Sequence, residues 1–95
     1  AAGWGPMLYR LAALHGSAAN GAAKDASLSP AERDRLVAEY STQAVGLLRQ
    51  ATSAGYFRLA GRQKQLAEDR AFETLRARED FRKLIDPAEP ATQQR

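Results

Sequence analysis

A histidine is the side chain that most often serves as a general acid or base, and it is also a common zinc ligand. The chain has one histidine, His15, and no cysteine. No Asp or Glu lies four positions from His15 on either side, so the sequence offers no partner that would complete a metal or catalytic site on one helix face. We therefore expect His15 to be an imidazole of the core or of a groove.

Acidic side chains could form the paired carboxylic acids of a hydrolase, and five of them lie close together late in the chain: Glu68, Asp69, Glu73, Glu79 and Asp80. Such a pair needs one carboxyl group that stays protonated. Each of these five has an Arg or a Lys within one helical turn, which favours the ionised form. We predict that the chain is not an enzyme and that it has no catalytic residue, no cofactor and no bound metal.

Basic residues of the same segment could form a cluster that binds phosphate: Arg70, Arg76, Arg78, Arg82 and Lys83. The net charge is +3, but from Gly61 onwards 8 basic and 7 acidic side chains alternate. This mixing favours a solvated surface over the basic stripe of a nucleic-acid-binding protein. We expect no nucleic-acid partner, and a small basic helical subunit that binds nucleic acid or regulates another protein stays the alternative. Arg76 is expected to pair internally with Asp69 or Asp80.

The elements that position these residues are predicted to be helices, because Ala and Leu dominate the apolar residues and β-branched residues are scarce. A first helix is expected from Pro6 to Ala19. Its apolar face consists of Leu8, Leu11, Ala12 and His15. Met7 and Leu14 widen that face, which predicts contact with more than one neighbour.

A second, longer helix is predicted from Ala31 to Ala54. Ser29 can cap its first turn together with Glu32, and Pro30 suits the first helical position. Apolar residues then recur at intervals of three and four: Val37, Tyr40, Ala44, Leu47, Ala51 and Ala54. Gly55 is expected to end the helix in a left-handed conformation.

Shorter helices are predicted in the C-terminal part. Tyr56 to Leu66 suggests a third helix that is weakened at Gly61, and two short helices follow at Phe72–Leu75 and Phe81–Ile85. Asp86 and Pro87 end the last one. We predict one domain over residues 1–86 and a flexible tail over residues 87–95. No stretch is apolar enough for a membrane span, so no membrane partner is expected.

The pattern of the two long helices resembles the tetratricopeptide repeat. Leu8, Leu11, Ala12 and His15 match its large, Leu, small and aromatic positions in the first helix, and Ala44, Leu48 and Ala51 match its small, large and small positions in the second. The segments YSTQAVGLLRQATSAGY and LAEDRAFETLRAREDFRKLI are similar to the C-terminal tails of bacterial serine/threonine protein kinases. The residues that carry this likeness are Leu66, Asp69, Phe72, Leu75, Arg76, Asp80, Phe81 and Leu84.

The resemblance implies an all-α fold, namely a helical hairpin of the tetratricopeptide type with a long second helix and short C-terminal capping helices. It also implies a non-catalytic protein-interaction or scaffolding module of a larger, cytoplasmic signalling protein, from which this chain would be an excised piece. The partner would be a protein, a peptide or a neighbouring domain, and self-association stays open. Tyr9 and Ala13 would line the partner groove of such a repeat. Trp4 is either a hydrophobic anchor on the domain's own core or a contact to a neighbour. Trp4, Tyr9 and Ala13 are therefore the predicted partner-binding residues.

Overall fold

A computed structural model describes residues 4–58 and 61–85 of the 95-residue chain. Within these ranges the chain forms helices and no β-strand, which confirms the all-α prediction. Four α-helices are present: α1 (Trp4–Ala23), α2 (Pro30–Ser53), α3 (Arg62–Glu68) and α4 (Glu79–Ile85). Two 3-10 helices lie between them: η1 (Tyr56–Arg58) and η2 (Arg70–Ala77). The predicted flexible tail, residues 87–95, lies outside the described residues.

Helix α2 begins and ends as its local residues predict. The side chain of Ser29 accepts a 3.2 Å hydrogen bond from the backbone N–H of Glu32, and the Glu32 carboxylate accepts one in return from the backbone of Ser29. Pro30 occupies the first helical position. After the last turn Gly55 has φ +86°, a left-handed conformation that glycine adopts without steric cost.

Helix α1 packs against α2 in the opposite direction. Trp4 at the start of α1 lies beside Ser53 and Ala54 at the end of α2, whereas His15 contacts Gln43 in its middle. α1 continues to Ala23, beyond the predicted end at Ala19, because its C-terminal half is supported by η2.

The buried face of α1 differs from the predicted one. The structure buries Gly5, Tyr9, Ala12, Gly16 and Ala19, whereas Leu11 is exposed and Leu8 and His15 are only partly buried. The face is rotated because small residues allow a close approach that larger side chains would prevent. A Cβ atom at Gly16 would lie 2.3 Å from the carbonyl oxygen of Ala71.

The buried face of α2 is also rotated by about one position from the predicted stripe. Ala44 and Ala51 are buried as expected, and they are joined by Ser41, Val45 and Leu48. Val37, Tyr40 and Leu47 are only partly buried, and Ala54 is exposed. The rotation brings α2 into contact with both α1 and the C-terminal helices.

The C-terminal helices close one end of the α1–α2 pair. The third helix predicted from Tyr56 to Leu66 is instead η1 followed by α3, and Gly61 precedes α3 with φ +85°. Phe72 and Phe81 are fully buried, as predicted, with ring centres 5.8 Å apart. The ring of Phe72 also meets that of Tyr9 edge to face at 5.7 Å, so the aromatic core joins α1 to η2 and α4.

Candidate protein-interaction surface

The outer face of α1 carries four large apolar side chains in contact with solvent. Trp4 is 58% exposed, Met7 53%, Leu11 40% and Leu14 66%. They follow one another at intervals of three, four and three residues, which places them on one side of a helix. We call this row, Trp4, Met7, Leu11 and Leu14, the α1 stripe.

The α1 stripe exists because α1 is apolar on two sides. Its buried side, from Gly5 to Ala19, is made mostly of Gly and Ala, while the larger apolar residues stand on the outer side. α1 contains a single Arg or Lys and no acidic residue in 20 positions, namely Arg10, whereas α2 contains six charged residues in 24. The solvent-facing side of a helix usually carries several charged residues, and the outer side of α1 carries one, Arg10.

A shallow groove between α1 and α2 adjoins the stripe. Two depressions of about 400 Å³ and 480 Å³ lie along it. They share Gln50, and the larger one begins beside Trp4. The lining contains no Lys, Arg, Asp or Glu: Leu11, His15, Gln43, Gly46, Leu47 and Gln50 in one depression, and Trp4, Leu8, Gln50, Ser53 and Ala54 in the other.

His15 lies in this groove and not in the core. Its Nε2 atom is 3.0 Å from Oε1 of Gln43, across the gap between the two helices. An amide oxygen only accepts, so Nε2 carries the proton in this contact. Among the described residues, no group of three His, Cys, Asp or Glu side chains is arranged to hold a metal ion.

The three predicted partner-binding residues occupy different environments. Trp4 is exposed at the end of the α1 stripe. Tyr9 is buried, with 7% of its surface exposed, and Ala13 is partly buried against the core. The prediction that Tyr9 lines a partner groove therefore needs correction: its ring packs under Tyr56, Phe57 and Phe72, which sequence spacing could not reveal.

The hydroxyl group of Tyr9 has a structural partner. It donates a 2.7 Å hydrogen bond to Oδ2 of Asp69, whose Oδ1 accepts from the backbone N–H of Ala71. Burial, and after it this hydrogen bond, raise the pKa of the Tyr9 hydroxyl well above its usual value. The Asp69 carboxylate is thus occupied by two donors that fix the start of η2.

Three of the other charged candidates, Arg76, Arg78 and Asp80, also have structural contacts. Arg78 and Asp80 form a bidentate pair, with distances of 3.0 Å and 2.8 Å, and the hydrogen bonds from Arg78 lower the pKa of Asp80. Arg76 donates to the backbone carbonyl of Asp69 at 3.2 Å. Arg76 thus bonds to Asp69, one of its two expected internal partners, but through the backbone carbonyl and not through the carboxylate, which accepts from Tyr9 and from Ala71.

Sequence reasoning missed Met7 and Leu14 as surface residues and assigned Leu11 to the core face. Two signals could have found them. With Trp4 included, the row from Trp4 to Leu14 has regular three-four-three spacing, and the near absence of charge on α1 indicates a second covered face.

Comparison of the chain with protein-family models, with curated proteins and with solved structures gives no match. None of the helices within residues 4–58 and 61–85 combines the length and the apolarity that a membrane crossing requires.

Proposed function

We propose that this chain is a non-catalytic interaction module that docks an amphipathic helix of a protein partner along the α1 stripe and the adjoining groove. The observation that carries the proposal is the row of four large apolar side chains, 40 to 66% exposed, on one face of α1. Contiguous exposed apolar surface of this kind is typical of interaction sites.

A helix fits this surface better than an extended peptide. The described part of the chain has no β-strand and hence no sheet edge to which an extended segment could add. Apolar side chains at intervals of three and four interdigitate with a second helix that has the same spacing. The groove between α1 and α2 gives that helix a second row of contacts.

The electrostatics of the surface favour a protein over a nucleic acid. The α1 stripe and the groove lining contain no Lys or Arg, the residues that neutralise a phosphate backbone, and His15 is the one basic side chain of the lining. Arg10 is the single basic residue of α1 apart from His15. In the larger cytoplasmic signalling protein that the kinase-tail resemblance implies, the docked helix would belong to a neighbouring domain or to another protein.

The proposal can be tested by selection from a display library of 20-residue helical peptides, the length of α1. We expect the enriched peptides to carry apolar residues at helical spacing. Binding can be followed through Trp4, the single tryptophan, whose emission should shift to shorter wavelength as its exposed ring is covered. Measurements at low micromolar chain concentration keep self-association small.

Leu14→Glu is the informative variant, because Leu14 is the most exposed member of the stripe and its replacement should leave the core intact. We expect it to weaken peptide binding at least tenfold, since a carboxylate would be buried without a partner. Ala31→Glu, at an exposed position in the first turn of α2 and away from the groove, is the matched control and should bind normally. Peptides that bind the Leu14→Glu variant as tightly as the unaltered chain would rule out this surface.

A further inference from the structure

We propose that Asn20 and Gly21 form a modification site at which the chain deamidates itself when the last turn of α1 opens from η2. Asn20 is the single asparagine of the chain, and a glycine follows it directly. The reaction needs water as its only co-reactant, and its product lacks the amide group that connects α1 to η2. The inference goes beyond the proposed function, and the site lies outside the α1 stripe.

The chemistry uses two groups that are adjacent in the sequence. The backbone nitrogen of Gly21 loses its proton and attacks Cγ of Asn20, so that an N–Cγ bond forms, the Cγ–Nδ2 bond breaks and the amide nitrogen leaves as ammonia. Water then opens the five-membered ring at either of its two carbonyl groups, which gives aspartate or isoaspartate. Glycine favours the attack because it has no Cβ atom that shields its nitrogen, and because it adopts many backbone conformations.

The folded state blocks this attack. Gly21 lies inside α1, where a backbone N–H is bonded to the carbonyl four positions earlier and ψ is about −42°, far from the conformation that closes the ring. The amide of Asn20 is also held: Nδ2 donates to the carbonyl of Arg70 at 2.8 Å, and Oδ1 accepts from the N–H of Thr74 at 3.0 Å. Modification therefore requires a local opening of the last turn of α1.

The glycine itself favours this opening. Gly21 lies two residues before the end of α1 at Ala23, and helix ends fray. A Cβ atom at Gly21 would meet nothing within 4 Å, and the φ of Gly21 is not positive, so neither packing nor backbone conformation requires a glycine there. Glycine at this position thus lowers the stability of the last turn and is also the neighbour that makes Asn20 most reactive.

The modification removes the connection between α1 and η2 permanently. A carboxylate at position 20 accepts hydrogen bonds but does not donate them, so the carbonyl of Arg70 loses its donor. Isoaspartate also adds one carbon to the backbone, which breaks the hydrogen-bond register of the helical turn. A chain that has reacted during an opening event therefore cannot close again as the unmodified chain does.

Incubation of the full 95-residue chain at mildly alkaline pH, with and without guanidinium chloride, tests the inference. Trypsin cleaves after Arg10 and Lys24 and releases the site within one peptide, residues 11–24, whose conversion from amide to acid is measured by mass spectrometry. We expect conversion to be at least about tenfold slower in the folded chain, because only the open fraction reacts. Equal rates in the folded and the unfolded chain would overturn the inference.

Gly21→Ala tests the route of the reaction. In guanidinium chloride this variant should convert more slowly than the unaltered chain, because the new Cβ atom shields the attacking nitrogen. The comparison in the unfolded state excludes any effect of alanine on helix stability. An unchanged rate would show that the backbone nitrogen of residue 21 is not the nucleophile, and would overturn the proposed chemistry.

Thr74→Val tests whether a local opening is sufficient, because it removes the hydroxyl that donates to Oδ1 of Asn20 and keeps the shape of the side chain. The folded variant should convert about two- to tenfold faster than the unaltered chain. Thr52→Val removes a hydroxyl that bonds to the carbonyl of Leu48 in α2, and as the matched control it should leave the rate unchanged. An unaltered rate in Thr74→Val, or equal acceleration in both variants, would overturn local opening. Peptide binding enters none of these measurements, so their outcome is independent of the proposed function.

Discussion

The hydroxyl of Tyr9 and the carboxylate of Asp69 are joined by a 2.7 Å hydrogen bond across 60 positions of sequence. This contact ties the middle of α1 to Asp69, the N-cap residue of η2, whose carboxylate also accepts from the backbone N–H of Ala71. The α1 stripe stands on the opposite side of the same helix. The bond therefore helps to hold the helix that presents the proposed docking surface.

Tyr9→Phe should reduce the free energy of unfolding by about 1 kcal/mol, because it removes one hydrogen bond and leaves Oδ2 of Asp69 without this donor. The ring and its packing against Phe72 are preserved. Urea unfolding followed by circular dichroism measures the difference. Tyr40→Phe, at a partly exposed position of α2, is the matched control and should change stability by less than about 0.5 kcal/mol. Equal losses in both variants would contradict the role of the Tyr9 hydroxyl.

The raised pKa of Tyr9 predicts a loss of stability at alkaline pH. In the unfolded chain a tyrosine ionises near its usual pKa of about 10, whereas folded Tyr9 keeps its proton because its pKa is raised by burial and by Asp69. The folded state then binds more protons than the unfolded state, so stability falls as pH rises above about 10. The fall should be steeper for the unaltered chain than for Tyr9→Phe in urea unfolding at a series of pH values. Parallel curves would show that Tyr9 does not contribute.

Two glycines of α1 should respond to alanine in opposite directions. A Cβ at Gly16 would lie 2.3 Å from the carbonyl oxygen of Ala71 and 2.9 Å from Cδ1 of Phe72, while a Cβ at Gly21 would meet nothing within 4 Å. Gly16→Ala should therefore destabilise the fold by about 1 to 3 kcal/mol through overpacking. Gly21→Ala should stabilise it by up to about 1 kcal/mol through helix propensity. Thermal and urea unfolding of the two variants give the signs, and a stabilising Gly16→Ala would refute the close contact with η2.

Local signals predicted the parts of the fold that depend on neighbouring residues. The start of α2 follows from the capping box of Ser29 and Glu32, and its end follows from Gly55, because these contacts lie within one turn of the chain. Phe72 and Phe81 were recognisable as core residues from their size and apolar character. The hairpin of the tetratricopeptide type stays a prediction.

Contacts between distant segments could not be predicted in the same way. The buried face of α1 depends on Gly16 and Ala12, and residues this small give no hydropathy signal for one face over another. Their role becomes visible only when η2 is placed against them. The resemblance to a tetratricopeptide repeat predicts Tyr9 on a partner surface, whereas Asp69 and three aromatic rings cover it in the fold. Trp4 is exposed, and its role in binding stays a prediction.

Asn20 is the clearest example of a residue whose structural role depends on a contact between distant segments of the chain. Asparagine has a low helix propensity, but the side chain of Asn20 connects the end of α1 to η2. Nδ2 donates to the backbone carbonyl of Arg70 at 2.8 Å, and Oδ1 accepts from the backbone N–H of Thr74 at 3.0 Å and from its hydroxyl. These bonds satisfy two backbone groups of η2: the carbonyl of Arg70, its first residue, and the N–H of Thr74, four residues later.

Asn20→Asp should cost about 1 to 3 kcal/mol of stability at neutral pH, because it keeps the shape of the side chain but replaces the donating NH₂ group with an acceptor that faces the carbonyl of Arg70. At a pH low enough to protonate the new carboxyl group, a donor returns and part of the loss should be recovered relative to the unaltered chain. Ser17→Asp, at an exposed position of α1, controls for the added charge. Urea unfolding at both pH values measures the effect. If the two variants lose equal stability, added charge is the cause, and Asn20 does not brace η2 as its contacts indicate.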